Sequence, residues 1–95
     1  MNLYAIRRRS FWGTPEELQA TAAKSAQVGD EMADDVRWIR SYVVQEESGK
    51  LGTVCIYEGA SPEAIRRHAG NSGMSADEIT KVADTVIVRD DPVAV

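Results

Sequence analysis

His68 is the only histidine in the 95-residue chain and the side chain best suited to proton transfer or metal binding. It follows Ala64 at helical spacing, so its ring is expected on or beside the helix face that turns towards the interior. Such a histidine is either a core residue hydrogen-bonded to a carbonyl or carboxylate, or a ligand for a divalent metal. A metal needs further donors, and Glu58, Cys55 and Asp77 are the residues available. His68 and Glu58 are therefore the predicted metal ligands.

An imidazole beside a carboxylate would also form an acid–base pair whose pKa values are tuned by burial. His68, Glu58 and Tyr42 are the candidate catalytic residues on this ground. Glu58 alternates with Val54 and Ile56, and a carboxylate on the apolar side of a strand is costly unless it is paired. A solvated or paired structural role at the strand end is the alternative for Glu58.

Three aromatic residues, Trp38, Tyr42 and Tyr57, are the candidates for lining a small-molecule pocket. Aromatic rings that carry a polar group commonly fix ligands in such sites. The alternative is that they pack in the core or in a dimer interface.

Motifs for the common cofactors are absent from the sequence. It contains no Gly-rich phosphate loop, nucleophile elbow, paired-histidine helix motif or dinucleotide fingerprint. The single Cys55 excludes an internal disulfide and any CxxC pair. A cofactor-free reaction remains compatible with these absences.

Charge and hydropathy limit the partners. The formal net charge of -4 opposes general binding to nucleic acid or anionic lipid, whose phosphates demand positive charge. The run Arg7, Arg8, Arg9 is a local exception, read either as a solvated strand end or as an anion-binding patch. The chain starts unlike a secretory signal and has no segment of membrane-spanning length, so we expect a cytoplasmic protein.

The local patterns predict a single domain over residues 1–95. Thr14, Pro15 and Glu17 form a capping box that starts a helix, and Ser61 with Pro62 starts another. The predicted elements are a strand over 3–8, a helix to about 32, strands over 36–44 and 53–58, a helix over 62–69, a helical turn over 75–79 and a strand over 81–88. Residues 89–95 are expected to form a loose tail.

This order predicts an α+β, ferredoxin-like βαββαβ sandwich, with both helices on one face of a four-stranded antiparallel sheet. Strict alternation in the second strand would place Trp38, Arg40 and Tyr42 on one face, and Ile39, Ser41 and Val43 on the other. Either set leaves apolar surface on the uncovered side of the sheet. A homodimer that covers this side is the expected assembly.

Segments of the second strand, the third strand and the second helix together resemble a known family. They are Trp38-x-x-Ser41-Tyr42-Val43, Cys55-Ile56-Tyr57-Glu58 and Pro62-Glu63-Ala64-Ile65-Arg66-x-His68-Ala69. The chain resembles a bacterial family of unknown general function whose best-known member is a small nickel-binding, nickel-responsive protein with a ferredoxin-like dimeric fold. The resemblance extends from the first strand through Asp77-Glu78-Ile79.

The resemblance implies a small dimeric protein that binds a ligand or a metal, with nickel or another divalent metal as the candidate cofactor. This chain departs from the nickel-binding branch, which uses several histidines, because Arg8 and Arg9 stand where further imidazoles would be expected. The alternative function is a cofactor-free isomerase, cyclase or monooxygenase acting on a small aromatic or polyketide-like molecule. A plain interaction module is the third hypothesis.

Overall fold

Six elements follow one another along residues 1–92, the part of the chain that this computed structural model describes. They are β1 (Asn2–Trp12), α1 (Pro15–Glu31), β2 (Val36–Gln45), β3 (Leu51–Gly59), α2 (Pro62–Asn71) and β4 (Glu78–Lys81). The strands form one antiparallel sheet in the order β2-β3-β1-β4. The predicted ferredoxin-like βαββαβ fold is confirmed.

Both helices begin where the sequence predicts. The Thr14 hydroxyl accepts a hydrogen bond from the Glu17 amide, and the Ser61 hydroxyl accepts one from the Ala64 amide. The Glu17 carboxylate accepts a hydrogen bond from the amide of Gly13, one residue before the cap. The bonds to the Glu17 and Ala64 amides satisfy groups that the first turn of a helix otherwise leaves unpaired.

The core lies between the helices and one face of the sheet. Tyr4 and Ile6 of β1, Tyr57 of β3, and Ile65 of α2 are buried there, at 4%, 1%, 2% and 1% exposure. Val36, at the start of β2, is fully buried in the same cluster. The other sheet face carries no helix, and we call it the open face.

β1 continues four residues beyond the predicted strand, because a bulge lets it bend instead of ending. Arg8 pairs with Thr53 and Trp12 pairs with Leu51, so β1 contains two extra residues between these pairs. Ser10 adopts a positive φ of 50° in the bulge. Such bulges bend a strand, and here the indole of the buried Trp12 donates to the Thr21 hydroxyl of α1 at 3.1 Å.

A second bulge, in β2, makes the side chains of this strand face differently from the predicted strict alternation. Trp38 pairs with Tyr57, but Arg40 pairs with Ile56, so one residue of β2 has no partner on β3. The alternation of side chains changes phase at this point. Trp38 consequently faces the helices while Arg40 and Tyr42 lie on the open face, contrary to the predicted shared face.

The predicted helical turn over 75–79 and strand over 81–88 are wrong. The last strand is β4 (Glu78–Lys81), in which Lys81 pairs with Tyr4 of β1. The Val82 amide then donates to the Leu3 carbonyl, and β1 itself begins only one residue earlier. Almost no backbone of β1 remains to pair with the residues after Val82, and the chain leaves the sheet here.

The segment after β4 runs across the open face to its far edge. Asp91 accepts hydrogen bonds from Tyr42, at 2.7 Å, and from Arg40 of β2. The predicted loose tail over 89–95 includes residues 93–95, which lie outside the described residues.

No helix within residues 1–92 combines the length and the apolar character needed to span a membrane.

Gly52 marks the point where β3 passes closest to the β1 bulge. A Cβ added there would lie 2.4 Å from the Arg8 carbonyl oxygen and 2.9 Å from the side chains of Arg7 and Glu46. We expect Gly52→Ala to lower the free energy of unfolding by roughly 1–3 kcal/mol, measured by urea denaturation.

Gly70 supplies the matched control, since no atom lies within 4 Å of a Cβ added there and it sits inside α2. Gly70→Ala should leave stability unchanged or raise it by about 0.5–1 kcal/mol, because alanine favours helix. Equal stabilities for the two variants would contradict the close approach at Gly52.

Candidate functional site

A cavity of about 320 Å³ lies between the first half of α1 and the sheet. The helix contributes Leu18, Thr21, Ala22 and Ser25, which form one stripe along its inner side. This volume falls within the range of roughly 300–1,000 Å³ that is usual for small-molecule sites. Ile39 and Val43 of β2 also line the cavity and are 41% and 52% exposed, so it opens towards solvent at the β2 edge.

The small side chains of α1 have different effects in the two halves of the helix. In the second half, Gly29 lies close to α2, since a Cβ there would be 3.6 Å from the His68 ring. In the first half, the small Ala22 and Ser25 leave the space that forms the cavity.

Aromatic side chains form much of the cavity wall. The rings of Trp38 and Tyr57 are stacked, with centroids 6.0 Å apart and planes 3° from parallel. The Trp38 indole donates to the Ser41 hydroxyl at 2.7 Å, and the Tyr57 hydroxyl lies 3.4 Å from the Ser25 hydroxyl. Burial raises the pKa of Tyr57, so its hydroxyl stays neutral near pH 7. The wall is therefore flat, apolar and uncharged on this side.

One charged group, Arg8, lies on the floor of the cavity. It is only 5% exposed, and its Nε donates to the Ser75 carbonyl at 2.8 Å. Its Nη1 lies 3.8 Å from the Cys55 sulfur. Within residues 1–92 no carboxylate forms an ion pair with Arg8.

Strand alternation separates Arg8 from its two neighbours in the arginine run. Arg7 pairs with Glu46 at 2.7 Å and Arg9 pairs with Glu78 at 2.9 Å. The Arg7 guanidinium holds the pKa of the Glu46 carboxyl below its usual value. The sequence left open whether the run is a solvated strand end or an anion site, and the structure gives its middle member a buried position.

The predicted ligand-binding residues divide between the two sheet faces. Trp38 and Tyr57 line the cavity, whereas Tyr42 lies on the open face and donates to Asp91. The bulge in β2 causes this division, because it reverses the alternation after Trp38.

His68 and Glu58 also lie on opposite sides of the sheet. The His68 ring is 1% exposed, packs edge-on against Tyr57 and donates from Nε2 to the Ser25 carbonyl at 3.1 Å. Glu58 follows Tyr57 on β3, so its side chain points to the open face, where it pairs with Arg37 at 2.9 Å. One chain cannot bring these two side chains to a common metal or proton.

Tyr42, the third catalytic candidate, is distant from Glu58 on the open face. Tyr42 is opposite Val54, four residues along β3 from Glu58, which corresponds to about 13 Å. Arg8 and Thr53 line the cavity as cross-strand neighbours; Arg8 was considered only within the arginine run, as one reading of an anion-binding patch, and Thr53 was not among the predicted site residues. Alternation from Tyr4 and Ile6 was the signal that could have placed Arg8 on the buried face.

Comparison with known proteins adds a family to this geometry. The sequence model described as nickel responsive protein SCO4226-like matches residues 4–82. The crystal structure of SCO4226 from Streptomyces coelicolor A3(2) is similar, with a TM-score of 0.72 and 25% sequence identity. That alignment covers 88% of this chain and 99% of the other. No curated protein matches the chain.

The residues described do not fit a nickel site of the usual kind. Residues 1–92 contain no cluster of three or more histidine, cysteine, aspartate or glutamate side chains arranged to hold a metal ion. Nε2 of the single His68 is engaged by the Ser25 carbonyl, and the ring is enclosed by its own chain. A second subunit therefore could not reach this ring without local unfolding.

The buried His68 predicts a pH dependence of stability. Burial lowers its pKa in the folded protein; the hydrogen bond to Ser25 opposes this effect, and the charge of Arg8 adds to it. Below about pH 6.5 the unfolded chain binds a proton that the folded chain does not, so acid favours unfolding. We expect the free energy of unfolding to fall between about pH 7.5 and about pH 5.5, by up to about 1.4 kcal/mol per pH unit.

His68→Gln keeps a donor for the Ser25 carbonyl but has no group that titrates in this range. Its stability curve, measured by urea denaturation at matched pH values, should be flatter than that of the wild type. An unchanged slope in the variant would show that His68 is not the neutral buried group described above.

Proposed function

The chain belongs to the nickel-responsive SCO4226-like family, and we propose that within it this protein binds a small organic ligand in the cavity between α1 and the sheet. The observation that carries the proposal is the cavity itself, about 320 Å³ with both tryptophans of the chain in its wall. Sites for small molecules are mostly apolar with a few polar groups that fix orientation. The stacked Trp38 and Tyr57, with the buried guanidinium of Arg8, match that description.

Direct nickel binding is the second candidate, favoured by the description of the family. The donors in the described residues do not support it, since His68 and Glu58 lie on opposite faces of the sheet. The cofactor-free enzyme, an isomerase, cyclase or monooxygenase, could use the same cavity. None of its candidate residues His68, Glu58 and Tyr42 lines that cavity, so the geometry favours binding.

A neutral aromatic probe tests occupation of the cavity. We expect cinnamamide to bind and to shift both indole N–H signals in NMR spectra, because Trp12 and Trp38 border the same space. Ala22→Phe should fill the cavity from α1 and reduce the affinity at least about tenfold, since the probe and the new ring compete for one volume. Ala23→Phe is the control, because Ala23 is the exposed neighbour on the same helix.

Two outcomes would contradict the proposal. The first is that cinnamamide produces no saturable shift, and the second is that Ala22→Phe and Ala23→Phe bind it equally. A parallel calorimetric titration with nickel chloride, on protein without an affinity tag, tests the second candidate. Stoichiometric binding of nickel would favour direct metal binding over the organic ligand.

We also propose that the protein is a homodimer, and that the segment after β4 forms part of the contact. Val86, Ile87 and Val88 are 84%, 76% and 77% exposed, although β-branched residues are typical of buried strands. A second copy presents the same three residues, so one two-fold contact would cover both sets. Tyr42, 43% exposed on the open face, lies along the path of this segment.

Charge introduced into this segment should dissociate the dimer. We expect light scattering at micromolar concentration to give twice the chain mass of 10.4 kDa for the wild type, and the single chain mass for Val86→Asp/Val88→Asp. Gln19→Asp/Ala23→Asp adds the same charge on the exposed side of α1 and should remain dimeric. A monomeric wild type, or equal behaviour of the two double variants, would contradict the proposed contact.

A further inference from the structure

We infer that the ligand of the cavity is a small aromatic carboxylate whose carboxyl group pairs with Arg8. This inference rests on the proposed function, because it specifies the class of molecule that the cavity accepts. It begins from the state of Arg8, which is 5% exposed and pairs with no carboxylate of residues 1–92.

A buried charge without a counter-charge is costly, and proteins usually pair it or place it where a ligand supplies the opposite charge. The protein atoms around Arg8 satisfy it only in part. Nε donates to the Ser75 carbonyl, and the other contact is with the weakly accepting sulfur of Cys55. The remaining N–H groups of the guanidinium have no acceptor of comparable strength within residues 1–92.

The rest of the lining has the electrostatic character of an anion site. The described residues that line the cavity include Arg8 and Arg40 but no aspartate or glutamate. Arg40 pairs with Asp91 on the open face, so Arg8 is the cation without a counter-charge. The field of Arg8 also contributes to the lowered pKa of the buried His68, after the larger effect of burial.

Thr53 supplies a second, independent observation. It is the cross-strand partner of Arg8 and lines the same cavity at 5% exposure. Its hydroxyl is the buried side-chain polar group that lacks a hydrogen-bond partner within residues 1–92. Buried hydroxyls are nearly always bonded, so an acceptor supplied by a ligand would complete both Arg8 and Thr53.

The charge and shape of the site select a carboxylate with a flat body. A guanidinium presents parallel N–H groups that match the two oxygens of a carboxylate, and a single buried cation neutralises a single negative charge. The stacked rings of Trp38 and Tyr57 offer a flat apolar surface to the remainder of the ligand. A cavity of about 150 Å³ accommodates benzene, so about 320 Å³ leaves room for a ring and an acidic arm.

Cinnamate and cinnamamide form a matched pair of probes, because they share size and shape and differ in the charged group. On the wild type we expect calorimetry to show cinnamate binding at least about tenfold more tightly than cinnamamide, which is the effect of one charge-assisted contact. Arg8→Met removes the charge but keeps the length of the side chain. In this variant the preference for cinnamate over cinnamamide should fall to within about twofold.

Arg8→Met is expected to fold, since the substitution removes an uncompensated buried charge. The comparison of the two probes on the wild type keeps the test valid if the variant does not fold. Equal binding of both probes, with both lost in Ala22→Phe, would overturn the carboxylate inference and leave the ligand cavity intact. Binding of neither probe would contradict the proposed function itself. A preference for cinnamate that is undiminished in Arg8→Met would overturn the pairing of the carboxyl group with Arg8.

Discussion

The ring of Tyr57 contacts both helices and the edge strand β2 from one position on β3. It stacks on Trp38, meets the edge of His68 at a centroid distance of 5.4 Å, and directs its hydroxyl to Ser25. Ser25 lies in the middle of α1, so this contact divides the helix into two parts. Beyond Ser25, Gly29 approaches α2 closely, whereas before it the small side chains leave the cavity. The position of the cavity thus depends on where Tyr57 meets α1.

The two bulges determine which side chains reach that site. The bulge in β2 keeps Trp38 on the helix side and turns Tyr42 to the open face. The bulge in β1 bends the strand so that Trp12 bonds to Thr21 of α1. Gly52 of β3 makes the bend in β1 possible, since the Arg8 carbonyl occupies the space that a side chain at position 52 would need. Backbone irregularity and pocket formation are therefore linked in this protein.

The charges follow the same separation of faces. Arg9 and Arg37 form ion pairs at the exposed surface, which contribute little because water screens them, whereas Arg7 forms a partly buried pair with Glu46. On β1, Arg8 points to the opposite sheet face from its neighbours Arg7 and Arg9, and this alternation places its charge in the cavity. The family description points to nickel, whereas residues 1–92 hold no cluster of metal donors and place a buried guanidinium in the cavity. A response to nickel in the family is compatible with the organic ligand that we propose for this cavity.

The sequence by itself determined the element order and the helix starts, because capping at Thr14 and Ser61 is a local interaction between residues a few positions apart. Alternation puts Tyr4 and Ile6 on one face of β1 as a property of the strand alone, and the structure shows that this face is the buried one. The tertiary structure alone decided the bulge phases, which depend on how β2 and β1 fit against β3. It also ended β4 at Lys81, because β1 offers no partner beyond its own first residues. Alternation alone relates Arg8 to Tyr4 and Glu58 to Tyr57, but which side of the sheet the helices cover, and the lack of a carboxylate beside Arg8 within residues 1–92, were decided by the tertiary structure.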